Sequence, residues 1–113
     1  MKFVRPGVMI HSRAVELATW RADIALAAKR AGCQPIESPI IVTMRFRVKK
    51  PKSVKRQYPT VAPDLDKYIR AVNDGLTGVA FADDSQVIKI IASKEYAENP
   101  GVDIEISDEF DCL

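Results

Sequence analysis

The sequence predicts a small α+β domain with two helices packed on a mixed β-sheet. Three observations carry that prediction: two segments with helical apolar spacing, three with strand-like alternation, and the order α-β-α-β-β in which they follow one another. At 113 residues and 12.6 kDa the chain is expected to form one domain, residues 1–113. Its 47% hydrophobic and 28% charged content excludes wholesale disorder and collagen-like repeats. No apolar run is long enough for a membrane helix, and the first residues, MKFVRPGVMIHSR, contain no secretory apolar core. A cytoplasmic protein without membrane contact is therefore expected. Cys33 and Cys112 then read as free thiols.

Ser12 is placed to cap a first helix running to about Ala31. Leu17, Trp20, Ile24, Ala27, Ala28 and Ala31 recur at three- and four-residue spacing, and Gly32 follows as a C′ residue. Trp20, at helix spacing, reads as core. Pro35 and Pro39 mark a loop. From Ile40 to Lys49 the pattern alternates: Ile40, Val42, Met44, Phe46 and Val48 on one face, Thr43, Arg45, Arg47 and Lys49 on the other. Ile41 breaks the outer face. A proline-punctuated, acid-free loop follows at about 49–62. The second helix is expected from about Leu65 to Thr77, with Leu65, Ile69, Val72 and Leu76 as its apolar stripe and Gly75 a weak point within it. A strand through QVIKIIASKEY and another with Val102, Ile104 and Ile106 flank the turn Asn99-Pro100-Gly101, which suggests a hairpin.

Charge is strongly polarised along the chain. Residues 1–63 carry thirteen Lys/Arg against three acids, and residues 64–113 carry four against twelve. A basic half calls for a polyanionic partner. Lys49, Lys50, Lys52, Lys55 and Arg56 continue the basic outer face formed by Arg45 and Arg47, as a backbone track for nucleic acid would. The plainer reading is a solvated surface loop. Tyr58 in that loop is equally suited to stacking on a base or to packing.

The acidic half presents Asp64-x-Asp66 at a helix start and Asp83-Asp84 before a strand. Each alone is ordinary capping or turn chemistry. Together they are expected at the near ends of adjacent elements, where convergent carboxylates suit Mg²⁺ or Mn²⁺ and phosphodiester displacement. Asp66 and Arg70 share a helix face. His11, the single histidine, gives zinc or histidine chemistry little to draw on, and no Walker-A or G-x-S-x-G motif is present.

The stretch PDLDKYIRAVNDGLTGVAFADDSQVI, residues 63–88, resembles the signature of RusA-type Holliday-junction resolvases of phages and prophages. Asp64 and Asp66 match its Asp-x-Asp pair, Asp74-Gly75-Leu76-Thr77-Gly78 its middle, and Asp83-Asp84-Ser85-Gln86-Val87 its end. Lys94 stands where a strand lysine is common. The resemblance implies a homodimeric, Mg²⁺-dependent endonuclease, with Mn²⁺ able to substitute, that makes paired nicks in four-way DNA junctions. Asp64, Asp66 and Asp84 would be its metal ligands, with Asp83 close by. Arg70 stands where the family has a catalytic lysine. Lys67 replaces the usual asparagine, adds to the DNA-binding cations, and lies about 60° around the helix from Arg70. Family members open with a strand and a proline-rich basic turn. Starting at MKFVRPGVMIHS, the chain reads as a RusA-like domain lacking that first strand. A second reading is a branched-DNA-binding module of the same fold, inactivated by N-terminal truncation. A third is a domain whose carboxylates hold a structural ion, which would not require a basic track.

Overall fold

A computed structural model describes residues 8–12 and 19–108. It contains β1 (Val8–Ser12), α1 (Trp20–Arg30), β2 (Ile40–Val48), α2 (Leu65–Leu76), β3 (Val87–Tyr96) and β4 (Gly101–Asp108). A 3-10 turn, Asp84–Gln86, leads into β3. The strands form one mixed sheet in the order β1-β4-β2-β3. β2 and β3 are parallel, as the intervening α2 crossover requires, and β4 runs antiparallel to both β1 and β2. The α+β class read from the sequence is the class observed.

Both helices cover one face of the sheet. Ile40, Val42, Met44 and Phe46 of β2 are completely buried there, beside Val102, Ile104 and Ile106 of β4 and Ile10 of β1. From α1 come Trp20, Ile24 and Ala28, and from α2 come Tyr68, Ala71, Val72 and Leu76. Trp20, Phe46 and Tyr68 stack together with ring centroids 4.9–5.5 Å apart. Gly32, at φ +84°, follows the Ala31 C-cap in the left-handed conformation that ends α1.

Three expectations need correction. Ser12 does not cap α1: it ends β1, is buried, and lies opposite Val102. A strand therefore precedes the first helix, and Thr19 occupies the N-cap position of α1 without a side-chain capping hydrogen bond to it; residues 13–18, which the longer helix would have used, lie outside the described residues. The alternation of Met9 and His11 outward with Ile10 inward is too short to stand out from the flanking sequence. Next, β3 and β4 do not form a hairpin. β2, apolar along its whole core face, lies between them, and residues 97–100 step across its end. The α2 stripe is also rotated, toward Tyr68, Ala71 and Gly75, while Leu65 and Ile69 are only half-buried. The helix must face α1 as well as the sheet.

Gly75 lies within α2 as expected, and packing explains its presence there. A Cβ built there would lie 3.0 Å from the Arg21 carbonyl oxygen and 3.1 Å from Ile24 Cβ. The backbones of α1 and α2 approach closely at that point, and Arg21 Nη2 pairs with Asp74 Oδ2 at 2.9 Å beside it. Gly75→Ala gains about 1 kcal/mol of helix propensity. It should still lower stability, because overpacking costs about 1–3 kcal/mol and the obstructing carbonyl cannot rotate away. Urea unfolding with an unchanged m-value would measure the difference.

Candidate nuclease site

α2 places its acids by position. Asp64 is the N-cap, in extended conformation, and its carboxylate makes no capping hydrogen bond to the helix. It is exposed, as are Asp66 and Lys67 in the first turn and Arg70 one turn on. Four cations and carboxylates thus share one end and one flank of the helix. Lys94, reaching across from β3, donates from Nζ to the Val61 carbonyl at 2.9 Å and the Pro63 carbonyl at 3.1 Å. This ties down the segment that delivers Asp64. A lysine in that role is a positioning device, and no local pattern in the sequence announces it.

Asp83 and Asp84 stand at the other end of α2. Asp83 caps the 3-10 turn: its Oδ1 accepts from the Ser85 backbone N–H at 3.0 Å, and its own N–H donates to Gln86 Oε1 at 2.8 Å. The Ser85 N–H, followed by a hydrogen bond with Asp84, holds the Asp83 carboxyl below its ordinary value. With a depressed folded value, this cap's contribution is present above the ordinary carboxylate range and is lost as pH falls through that lowered value. Gln86 also donates from Nε2 to the Ile36 and Ser38 carbonyls, at 2.7 and 2.9 Å. Much of Asp-Asp-x-Gln is therefore a clamp between the start of β3 and the loop before β2. Asp84, exposed, takes no part in the clamp to the loop before β2; its side chain hydrogen-bonds to Asp83.

The twelve residues of α2 span about 18 Å. That length separates Asp64 and Asp66 from Asp83 and Asp84, and corrects the expectation that the two pairs lie at near ends of their elements. Among the described residues, no group of three or more histidine, cysteine or acidic side chains gathers at metal-holding distance within one chain. The donors themselves are hard carboxylate oxygens and suit Mg²⁺ or Mn²⁺.

The basic residues divide into two groups. Arg45 pairs with Glu95, and Arg47 donates from Nη1 to the Asn99 carbonyl at 2.6 Å and from Nη2 to Asp103 Oδ1 at 3.2 Å. His11 Nδ1 lies 2.8 Å from that same oxygen. His11, Arg45, Arg47, Asn99 and Asp103 line a cleft of about 780 Å³ on the sheet face away from the helices, with both arginines paired to carboxylates. Lys49, Lys50, Lys52, Lys55 and Arg56, by contrast, are all exposed on the loop. Tyr96 organises part of it: Arg56 Nε donates to the Tyr96 hydroxyl at 3.0 Å, and Lys50 Nζ lies 5.8 Å from the ring centroid. The sequence alone does not single out Tyr96, since a strand-end tyrosine carries no signal of its own. Tyr58 is 60% exposed and free to stack.

An exposed cationic loop, next to a carboxylate-bearing helix start on a mixed sheet, is the layout of a protein that acts on a polyanion. Comparison with known families identifies which one. The family model for endodeoxyribonuclease RusA matches residues 5–107, and the chain belongs to that family. The chain is also similar to an uncharacterized protein, YqaN, of Bacillus subtilis (strain 168), at 34% identity over 73 residues. That alignment takes in 65% of this chain and 50% of YqaN, so the match spans about half the length of that relative. The protein is thus a member of a nuclease family. No helix among the described residues is long and apolar enough to cross a membrane.

Proposed function

We propose that this protein is a divalent-metal-dependent endonuclease that resolves four-way DNA junctions by paired nicks, acting as a homodimer in the cytoplasm of a bacterial host and of phage or prophage origin. The observation that carries the reading is the family match, which spans every carboxylate and cation of the candidate site. Asp64, Asp66 and Asp84 would hold the ion, with Asp83 beside Asp84. Bound there, Mg²⁺ or Mn²⁺ would supply Lewis-acid stabilisation of phosphate charge and a more acidic water. Arg70, one turn from Asp66, holds a fixed positive charge for the scissile phosphate. Lys67 and the loop cations bind flanking phosphates, joined by Arg45 and Arg47 where DNA displaces their carboxylate partners. Since the two acid pairs lie at opposite ends of α2, a second copy running antiparallel to the first supplies the missing pair at each end.

The test is nicking of a synthetic four-way junction with and without Mg²⁺. A branched-DNA-binding module without cleavage is the second reading, favoured by the separation of the carboxylates within one chain. Junction binding with no nicking in either Mg²⁺ or Mn²⁺ would establish it.

Binding should also weaken steeply with salt, with log affinity falling linearly against log salt. Replacing Lys52, Lys55 and Arg56 together by glutamine should reduce the slope by about 0.9 for each phosphate that these side chains neutralise. Fluorescence-anisotropy titrations between low and moderate salt measure this. An unchanged slope would make the loop a solvated tail.

A further inference from the structure

The cationic loop makes little structure of its own. From Lys49 to Pro63 its internal backbone hydrogen bonds are Val54 N–H to the Pro51 carbonyl, at 3.1 Å, and Thr60 N–H to the Tyr58 carbonyl, at 2.9 Å. Pro59 is the only buried residue in that span. Such a segment ordinarily samples many conformations. Among the described residues, four polar contacts tie it to the rest of the fold, and all four come from two side chains near the end of β3. The Tyr96 hydroxyl accepts from Arg56 Nε, and the Tyr96 ring meets Lys50 Nζ. Lys94 Nζ donates to the Val61 and Pro63 carbonyls. Sheet geometry places both residues for this. β3 runs parallel to β2, with Lys94 opposite Phe46 and Tyr96 opposite Val48, and the Ala97 N–H donates to the Val48 carbonyl where the loop begins. Residues two apart on a strand share a face, here the one that carries the helices.

We infer that Lys94 and Tyr96 are positioning residues that hold the loop as a preformed array of phosphate-binding cations, and that Tyr96, by fixing Lys50 and Arg56, sets the preference for a four-way junction over linear duplex. The choice of branched DNA as the polyanion rests on the nuclease reading above.

Charge alone does not discriminate between the two DNAs. Lys49, Lys50, Lys52, Lys55 and Arg56 enter no ion pair among the described residues, so their charge is open to any nucleic acid. Counterion release rewards a contact with duplex phosphate as it does one with a branch. Phosphate contacts fix register and orientation, so cations at set separations favour one arrangement of phosphates over another. A cation that must first be ordered gives back part of its gain, and one already in place does not. Lys50 and Arg56 lie six positions apart in the chain and converge on one ring, so Tyr96 sets their separation. The contact leaves both outer guanidinium nitrogens of Arg56 to donate to phosphate, and the Lys50 ammonium keeps its own donors. Lys94 acts at the other end of the loop, where Val61 and Pro63 lead into Asp64, and keeps the cations in register with the start of α2.

Fluorescence-anisotropy titrations of the full chain, in EDTA, against a four-way junction and a linear duplex of matched sequence test this without reference to cleavage. The wild type should prefer the junction. Tyr96→Ala should lower the junction-to-duplex affinity ratio by about tenfold, since two long side chains must then be ordered on binding. Duplex affinity and the salt slope on duplex should hold, because no cation has been removed. Tyr96→Phe, which deletes only the acceptor for Arg56 and keeps the ring beneath Lys50, should lose about threefold. Limited trypsin digestion reads the restraint itself: cleavage after Lys52, Lys55 and Arg56 should be faster in Tyr96→Ala and in Lys94→Met than in wild type. A Tyr96→Ala protein with the wild-type circular dichroism spectrum and the wild-type ratio overturns the inference, and an equal fall on both DNAs counts the same way. If Tyr96→Ala fails to fold, a wild-type ratio in Tyr96→Phe overturns it. So does a wild type that binds both DNAs equally. In each of these cases nicking in Mg²⁺ decides the nuclease reading separately. A ratio that falls with Tyr96, in a protein that never nicks, upholds the inference and removes the nuclease reading.

Discussion

Asp84→Asn should yield a folded protein that binds four-way junctions and does not nick them. The substitution keeps size and hydrogen-bonding capacity while removing one anionic oxygen from the proposed ligand set. Changes to outer-shell partners of metal ligands already cost about 10–100-fold, so loss of a ligand should lower the nicking rate by more than about 100-fold. Junction affinity should hold or rise, since a negative charge near the DNA has gone. Stability should scarcely change, because Asp84 is exposed and the turn is capped by Asp83. Single-turnover cleavage and anisotropy on the same preparation separate the two effects. Wild-type cleavage by a folded Asp84→Asn protein would remove Asp84 from the site. Asp83→Ala is the contrasting variant: it deletes the cap and should cost about 1 kcal/mol of stability.

The largest effect on stability is expected at Phe46. It is fully buried and stacked on both Trp20 and Tyr68, linking β2, α1 and α2. Phe46→Ala removes the ring that both helices share and leaves a cavity that neither can fill without tilting. Such substitutions cost about 3–5 kcal/mol, against about 5–15 kcal/mol for a whole domain. The variant should show a large fall in urea midpoint with loss of near-ultraviolet signal from the Trp20 environment. Phe46→Leu, closer in volume, should recover much of the loss. A Phe46→Ala midpoint near that of wild type would mean that the aromatic cluster contributes little.

Elements with a strong period were legible in the sequence. β2 alternates over nine residues, and its core face is the buried face. α2, β3 and β4 begin and end within two residues of their expected positions. What the sequence could not convey were relations between elements. Val87–Tyr96 and Gly101–Asp108 look like a hairpin because the turn between them is short, but strand order depends on which strand most needs neighbours on both sides, and that is β2. Tyr68 and Gly75 escape a reading by apolar stripe because a helix facing both a sheet and another helix buries a wider arc than one stripe. At the site, the order of the motif along the chain was plain. The distance between its two ends was set by the length of a helix. Arg45 and Arg47 were legible as outward-facing cations, whereas the carboxylates that partner them come from β3 and β4, some fifty residues on.

The place of β4 in the sheet bears on how the chain folds as it is synthesised. β1 pairs with β4 alone, and β2 needs β4 to complete its second side. A nascent chain that has emerged through β3 therefore holds a parallel β2–β3 pair, one bare side of β2, and a β1 with nothing to bind. Val102, Ile104 and Ile106, which fill the centre of the apolar layer, have not yet been translated. The early helices can gather against β2, but the sheet closes only when its last strand is inserted between the first and second. Contacts spanning nearly the whole chain are slow to form, and partly collapsed species wait in the meantime. Stop codons or frameshifts that remove residues 101–108 should consequently abolish the folded state altogether, while leaving every proposed site residue encoded.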